Sequence, residues 1–220
     1  MKKFLFLMAM LSINFSINCS AADFVFYEAM NSRLLTKSGS PIGKGTLVQT
    51  MLGVEVDRFY LNVWGNQGFP EGQNIETDLV VGKRFSLGEI SGDLNFQRFM
   101  AENGNENMLE IALKHKGDVT STLIWTKQIT GGISLGRNRL YAELSNPVVI
   151  NKLVLTPFIA TAYLENFYHA TGLAYVTPGL RVYYPLSKNI SFFAQGAYQN
   201  ALMAKKLDLS YGSGGIKVLF

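Results

Sequence analysis

The feature that most constrains the fold is a series of short segments in which apolar and polar residues alternate with a period of two. In residues 138–144, for example, Leu140, Ala142 and Leu144 alternate with charged or aromatic side chains. Successive side chains of a β-strand point to opposite faces, so each such segment predicts a strand with one apolar face. This pattern is typical of transmembrane β-barrels, although a soluble sheet with one wet face alternates as well.

Twelve segments of this kind follow one another, separated by clusters of Gly, Asn, Ser, Asp and Pro. They cover residues 24–35, 45–55, 58–65, 74–85, 90–100, 107–115, 120–129, 137–145, 153–165, 171–184, 189–199 and 207–220. The fold class predicted is therefore all-β, an antiparallel transmembrane barrel of twelve strands. Ten or fourteen strands are the alternatives, because single-sequence boundaries shift by about two to four residues.

The connectors test this count, because an even number of strands places both chain ends in the periplasm and makes tight inner turns alternate with longer outer loops. Connectors at 55–57, 86–89, 116–119 and 185–188 are tight, whereas 66–73 and 130–136 are longer. The connector at 146–152 is longer than a periplasmic turn should be. Pro157 and Pro178 also fall inside predicted strands, where their missing N–H donors are unfavourable.

The N-terminus predicts export from the cytoplasm. Lys2 and Lys3 precede an apolar run from Phe4 to Phe15 and a small-residue site ending at Ala22, the pattern of a cleaved secretory signal peptide. Lipidation at Cys19 is the alternative. The domains predicted are thus a signal peptide at 1–22 and a barrel at 23–220. Because Cys19 is the only cysteine and precedes the cleavage site, we expect no disulfide in the mature chain.

The C-terminus resembles the assembly signal of bacterial outer-membrane barrels, in which polar, glycine and apolar residues stand at set offsets from a terminal Phe. Those offsets are occupied by Ser213, Gly215, Val218 and Phe220. Together with the signal peptide, this ending favours the membrane barrel over a soluble sheet. It implies the outer membrane of a Gram-negative bacterium as location, and outer-membrane lipid and the barrel assembly machinery as partners.

Charge and hydropathy exclude two further classes. Cleavage after residue 22 would remove Lys2 and Lys3, which leaves 18 Lys and Arg against 16 Asp and Glu, a net charge of +2. Basic residues are interleaved with acidic ones and form no stripe, so we expect no nucleic-acid partner. No run of about 18 consecutive apolar residues is present, which excludes a helical membrane protein.

Part of the N-terminal half resembles the TorF-type porin family of small Gram-negative outer-membrane barrels. The stretches that carry the resemblance are 33–41, 45–49, 57–66 and 76–82, about a third of the chain. Leu34 stands where that family usually has glycine. The resemblance implies an outer-membrane porin with an unassigned solute, and it carries over no catalytic residue.

An enzymatic barrel would need a nucleophile, a base and an orienting partner on neighbouring strands. The two histidines are His115 and His169, and only His169 has a hydroxyl nearby, that of Thr171, with Glu165 four residues upstream. Threonine is a poor nucleophile in this role and no serine-hydrolase motif surrounds it. We therefore predict no catalytic residues. Two distant histidines also give no metal-ligand spacing, and no cofactor is expected.

The residues that we expect to carry function face the interior of the barrel. They are charged residues opposite the apolar face of the strands, namely Glu76, Asp78, Arg84, Glu110, Lys114, Arg139, Glu143 and Arg181. An Arg or Lys facing lipid at the midplane costs about 2 to 4 kcal/mol, so these side chains should point inward. They either line an aqueous channel or pair across the interior and close it. The sequence thus predicts a porin-like channel for small solutes or ions. A closed structural or adhesive barrel, and then a lipid-modifying enzyme, are the alternatives.

Overall fold

Twelve antiparallel strands form the wall of a β-barrel. The computed structural model describes residues 22–35, 37, 41–42, 45–68, 74–101, 104–129, 137–203 and 208–220. The wall strands are β1 (Asp23–Asn31), β2 (Leu47–Val56), β3 (Phe59–Gly68), β4 (Asn74–Leu87), β5 (Ile90–Ala101), β6 (Gly104–His115), β7 (Thr120–Gln128), β8 (Asn138–Ser145), β9 (Leu153–Phe167), β10 (Ala170–Pro185), β11 (Ile190–Ala201) and β12 (Leu209–Leu219). The predicted signal peptide lies outside the described residues, apart from Ala22.

The wall closes on itself because each strand pairs with its sequence neighbour and β12 pairs with β1. At this seam Tyr27 lies opposite Lys217 and Asn31 opposite Ser213. A closed barrel leaves no unpaired strand edge. The prediction of an antiparallel twelve-stranded barrel is therefore confirmed, and every predicted strand boundary lies within four residues of the observed one. We call the end that carries Asp23 and Phe220 the terminal end, and the opposite end the loop end.

The connection between β8 and β9 differs from the prediction. Residues 146–152 were expected to form a connector, but Val148–Ile150 is a short strand that pairs with the first residues of β9. The edge begun by β8 therefore continues past Asn146 and Pro147, and the true turn is Asn151–Lys152, where Asn151 has φ of 56°. This connection is as tight as the other turns at the terminal end.

Both prolines within strands lie where a neighbouring ladder is interrupted. Pro157 faces the break between β8 and the short strand, and its carbonyl accepts a hydrogen bond from Asn146 N at 3.2 Å. Pro178 pairs with Ile159 of β9, while the ladder between β10 and β11 skips residues 177 and 178. At each proline, the strand ladder makes no hydrogen bond at the position where the absent N–H would have donated. The barrel therefore tolerates both prolines.

The alternation in sequence corresponds to two faces of the wall. Phe59, Leu61 and Leu144 project outward and are 56%, 40% and 53% exposed. The inner face carries the charged and polar residues together with scattered apolar ones, and two apolar or aromatic groups stand out on it. One is an apolar cluster at the loop end around Leu164 and Phe167, both 0% exposed. The other is a set of aromatic rings formed by Tyr27, Trp64 and Phe193. Among the described residues, no helix is long and apolar enough to cross a membrane.

Candidate functional site: the lumen

The structure places all eight charged residues singled out from the sequence on the inner face of the wall. Strand register fixes this assignment, because Asp78 pairs with Phe99, Glu110 with Thr126, and Arg139 with Leu164 along inward-facing rows. Asp78, Arg139 and Glu143 are each 7% exposed. Arg84 and Lys114 lie near the terminal end, where they are exposed. The same alternation puts Glu76 and Arg181 on the inner face.

Carboxylates dominate the inner face of β2 to β6. The acidic residues there are Glu55, Glu76, Asp78, Asp93, Glu106 and Glu110. A chain of hydrogen bonds runs along β5. Tyr60 Oη and Asn95 Nδ2 each donate to Asp93 Oδ1 at 2.7 Å, and Gln97 Nε2 donates to Asn95 Oδ1 at 2.6 Å and to Glu110 Oε1 at 3.2 Å. Because they are bonded to fixed neighbours, these carboxylates are held in defined positions on one wall.

Lys37, in the connection between β1 and β2, reaches across the lumen to Glu110. Its ammonium forms an ion pair with Glu110 Oε2, which also accepts a hydrogen bond from Thr126 Oγ1 at 3.0 Å. Burial lowers the pKa of the Lys37 ammonium, while the Glu110 carboxylate opposes this shift. Sequence reasoning missed Lys37 because it lies in a connector, outside the alternating segments.

The inner face of β8 to β10 carries the guanidinium groups. Arg181 binds Glu143 through two nitrogens, with Nη1 2.7 Å from Oε1 and Nη2 2.6 Å from Oε2. This is the strong, bidentate form of the arginine–carboxylate pair. Tyr141 Oη donates to Glu143 Oε2 at 2.6 Å, and Arg139 Nη2 donates to Tyr175 Oη at 3.3 Å. Arg181 thereby neutralises Glu143, whereas no carboxylate forms an ion pair with Arg139 among the described residues.

Two cavities open from the lumen onto these two walls. The basic cavity has a volume of about 520 Å³, and the charged residues that line it are Arg33, Arg139, Glu143 and Arg181. The acidic cavity has a volume of about 410 Å³, and its charged lining residues are Lys37, Asp78, Asp93 and Glu110. With every group in its ordinary charge state, the net charge of the lining residues is +2 in the basic cavity and −2 in the acidic cavity. The two cavities share no lining residue. The two cavities thus carry opposite net charge.

The geometry around His169 does not assemble a hydrolytic site. His169 lies with Tyr168 in the tight turn between β9 and β10, where both residues have positive φ. The Thr171 hydroxyl accepts a hydrogen bond from Asn166 N at 2.9 Å, and no hydrogen bond joins it to His169. His115 lies near the opposite end and contacts Glu89. Across the described ranges, no cluster of His, Cys, Asp and Glu is suited to hold a metal ion.

The four residues of the predicted assembly signal occupy different faces of β12 and its end. Ser213 and Gly215 face inward, at the seam with β1, whereas Val218 faces outward. Phe220 follows the strand. The Phe220 N–H donates a hydrogen bond to Phe24 O at 2.9 Å, and Phe220 is 73% exposed. The Phe220 side chain therefore contributes little packing to the folded wall.

Comparison with known proteins identifies relatives by fold and not by sequence. No protein-family model matches the chain, and no curated protein matches it. Among solved structures, the KdgM porin, one structure of which is in complex with disordered oligogalacturonate, superposes with a TM-score of 0.61 at 10% identity, covering 90% of this chain and 99% of KdgM.

Two further structures show the same similarity. The NanC porin superposes with a TM-score of 0.54 at 12% identity, over 91% of this chain and 99% of its own. An outer-membrane channel from Pseudomonas putida F1 superposes with a TM-score of 0.52 at 11% identity, over 90% of this chain and 94% of its own. The chain thus has the fold of small bacterial outer-membrane porins, and at these identities the similarity concerns the fold.

Proposed function

We propose that the protein is an outer-membrane channel for passive passage of small solutes or ions. The observation that carries this proposal is the polar, charged lumen with two cavities of about 520 and 410 Å³ inside a closed wall. An outward apolar face suits lipid, and inward charges suit a wet path. The eight residues from Glu76 to Arg181 that were singled out from the sequence line that path.

The sequence resemblance and the fold both support the same proposal. The resemblance of residues 33–41, 45–49, 57–66 and 76–82 to TorF-type porins indicates a small channel in a Gram-negative outer membrane. The similarity of fold to the KdgM and NanC porins points to the same class. Cleavage after Ala22 and recognition of the C-terminal strand by the barrel assembly machinery would deliver the chain to this location.

The direct test is conductance of the purified, refolded protein in a planar lipid bilayer. We expect stepwise unitary currents, because each barrel that inserts adds one fixed path. Well-folded protein that inserts without current would instead favour a closed structural barrel. The specific observation that favours that second candidate is the engagement of lumen charges with one another, Lys37 with Glu110 over the lumen and Arg181 with Glu143 along one wall.

Charge reversal at Arg139 should change ion selectivity. Arg139→Glu converts the basic cavity from net positive toward neutral, and a fixed charge in a narrow pore acts at lower effective dielectric than in bulk water. The reversal potential in a salt gradient should therefore move toward cation preference. Lys152→Glu is the matched control, since it changes a residue in an exposed turn. Equal shifts from both variants would place Arg139 outside the ion path.

A further inference from the structure

Three residues that line the basic cavity each carry a buried donor atom that nothing in the described part of the chain satisfies. They are Asn31 Nδ2, Arg139 Nε and Thr177 Oγ1, and their residues are 8%, 7% and 2% exposed. All three residues line the same cavity. Buried polar groups without partners are costly and rare, so three of them on residues that line one cavity point to an acceptor that the protein itself does not supply.

The acidic cavity shows the complementary feature. Asp78 is 7% exposed, and its Oδ1 oxygen has no hydrogen-bond partner among the described residues. The other carboxylates of this cavity are already engaged, Asp93 by Tyr60 and Asn95, and Glu110 by Lys37 and Thr126. The Oδ1 oxygen of Asp78 therefore offers an acceptor to a donor from outside the chain, while the carboxyl group of Asp78 also interacts with Glu76.

Lys37 links the two features. Lys37 interacts electrostatically with Asp78 in the acidic cavity and with Arg139 at the basic cavity, in addition to its pair with Glu110. Glu110 and Arg139 also lie in one inward row, with Thr126 on the strand between them. Adjacent strands are about 4.8 Å apart, so the strands that carry Glu110 and Arg139 are separated by roughly 10 Å, and Asp78 lies on β4, two strands beyond Glu110.

From this arrangement we infer that the lumen binds amphoteric solutes, which carry a carboxylate and an ammonium on one small chain. The carboxylate accepts hydrogen bonds from Arg139, Thr177 and Asn31 in the basic cavity, while the ammonium donates to Asp78 in the acidic cavity. The inference deepens the proposed channel function and rests on it. A solute of one charge satisfies only one set of unpartnered atoms and meets like charge in the other cavity.

Three probes of matched length separate the possibilities, namely ε-aminocaproate, caproate and hexylammonium. Trp64 lines the acidic cavity and the other tryptophan, Trp125, lies on the outer face, so Trp125→Phe leaves one fluorescent reporter in the lumen. Titration of the refolded barrel should show ε-aminocaproate binding about tenfold or more tightly than either singly charged probe. Equal affinity for caproate would overturn the inference in favour of a simple anion site.

Thr177→Val provides the sharpest variant, because valine has nearly the same shape and removes an unsatisfied buried hydroxyl, so the barrel should fold at least as well. This variant should bind ε-aminocaproate and caproate about tenfold more weakly, which is the range expected for loss of a hydrogen bond to a charged group. Its affinity for hexylammonium should be unchanged. Asp78→Asn should weaken the binding of ε-aminocaproate and hexylammonium and leave the affinity for caproate unchanged. Unchanged affinity for ε-aminocaproate in both variants would overturn the assignment.

Fluorescence titration tests the amphoteric site, and conductance tests the channel, so the two proposals can fail independently. If the barrel carries no current but binds the three probes in the expected order, the channel proposal is wrong and the amphoteric site stands as a binding site. If the barrel conducts and the probes bind with equal affinity or not at all, the channel stands and the amphoteric site is wrong.

Discussion

Leu109→Arg should lower the free energy of unfolding by about 2 to 4 kcal/mol, the cost of an arginine on the lipid face near the midplane. Leu109 lies in the middle of β6 and pairs with Phe96 and Lys127 along an outward row. No carboxylate flanks it in that row, so the guanidinium would remain unpaired in hydrocarbon. Urea titration of the barrel refolded in lipid vesicles measures the difference.

Ala112→Arg is the matched control, because it places the same side chain three residues further along β6 on the opposite face. Ala112 lies opposite Asp93 in an inward row, so the new guanidinium would find water and a carboxylate. We expect a much smaller loss of stability than for Leu109→Arg. A similar loss in both variants would mean that the two faces of the wall have been assigned incorrectly.

Gly215→Ala should destabilise the barrel by about 3 kcal/mol, because there is no room for a methyl group at the closing seam. A Cβ at Gly215 would overlap the carbonyl oxygen of Glu28 and lie 2.7 Å both from Ala29 Cα and from Phe193 Cζ. Two of these atoms belong to the backbone of β1, which cannot move without disturbing the ladder that closes the wall. Refolding into detergent micelles, with no assembly machinery present, should already reveal the defect.

Two control variants separate packing from recognition during assembly. At Gly196 on β11 a Cβ would meet no atom within 4 Å, so Gly196→Ala should leave refolding intact. Phe220→Ser should refold normally in micelles, since the Phe220 side chain is exposed, yet reach the outer membrane poorly in cells. If Gly215→Ala refolds normally and fails only in cells, Gly215 acts through recognition and the steric account is wrong.

Strand number and face assignment followed from local pattern. An alternating segment such as 138–144 fixes which side chains share a face, because the period of two is a property of the extended backbone itself. The inward placement of Glu110, Arg139 and Arg181 could therefore be predicted residue by residue. The β8–β9 connection was predicted incorrectly, because Pro147 interrupts the pattern and hides the three residues that resume pairing beyond it.

The sequence by itself thus determined a barrel wall with a lipid face and a charged interior, and it favoured twelve strands over ten or fourteen. Tertiary structure alone decided how that interior is divided. Lys37 meets Glu110 across 73 positions and Arg181 meets Glu143 across 38. Which charges neutralise each other, and which donors and acceptors are left for a solute, depends on how the strands pair and where the β1–β2 connection lies in the lumen, because these bring residues far apart in sequence into contact. The periodicity within a single segment does not encode which of these distant residues meet.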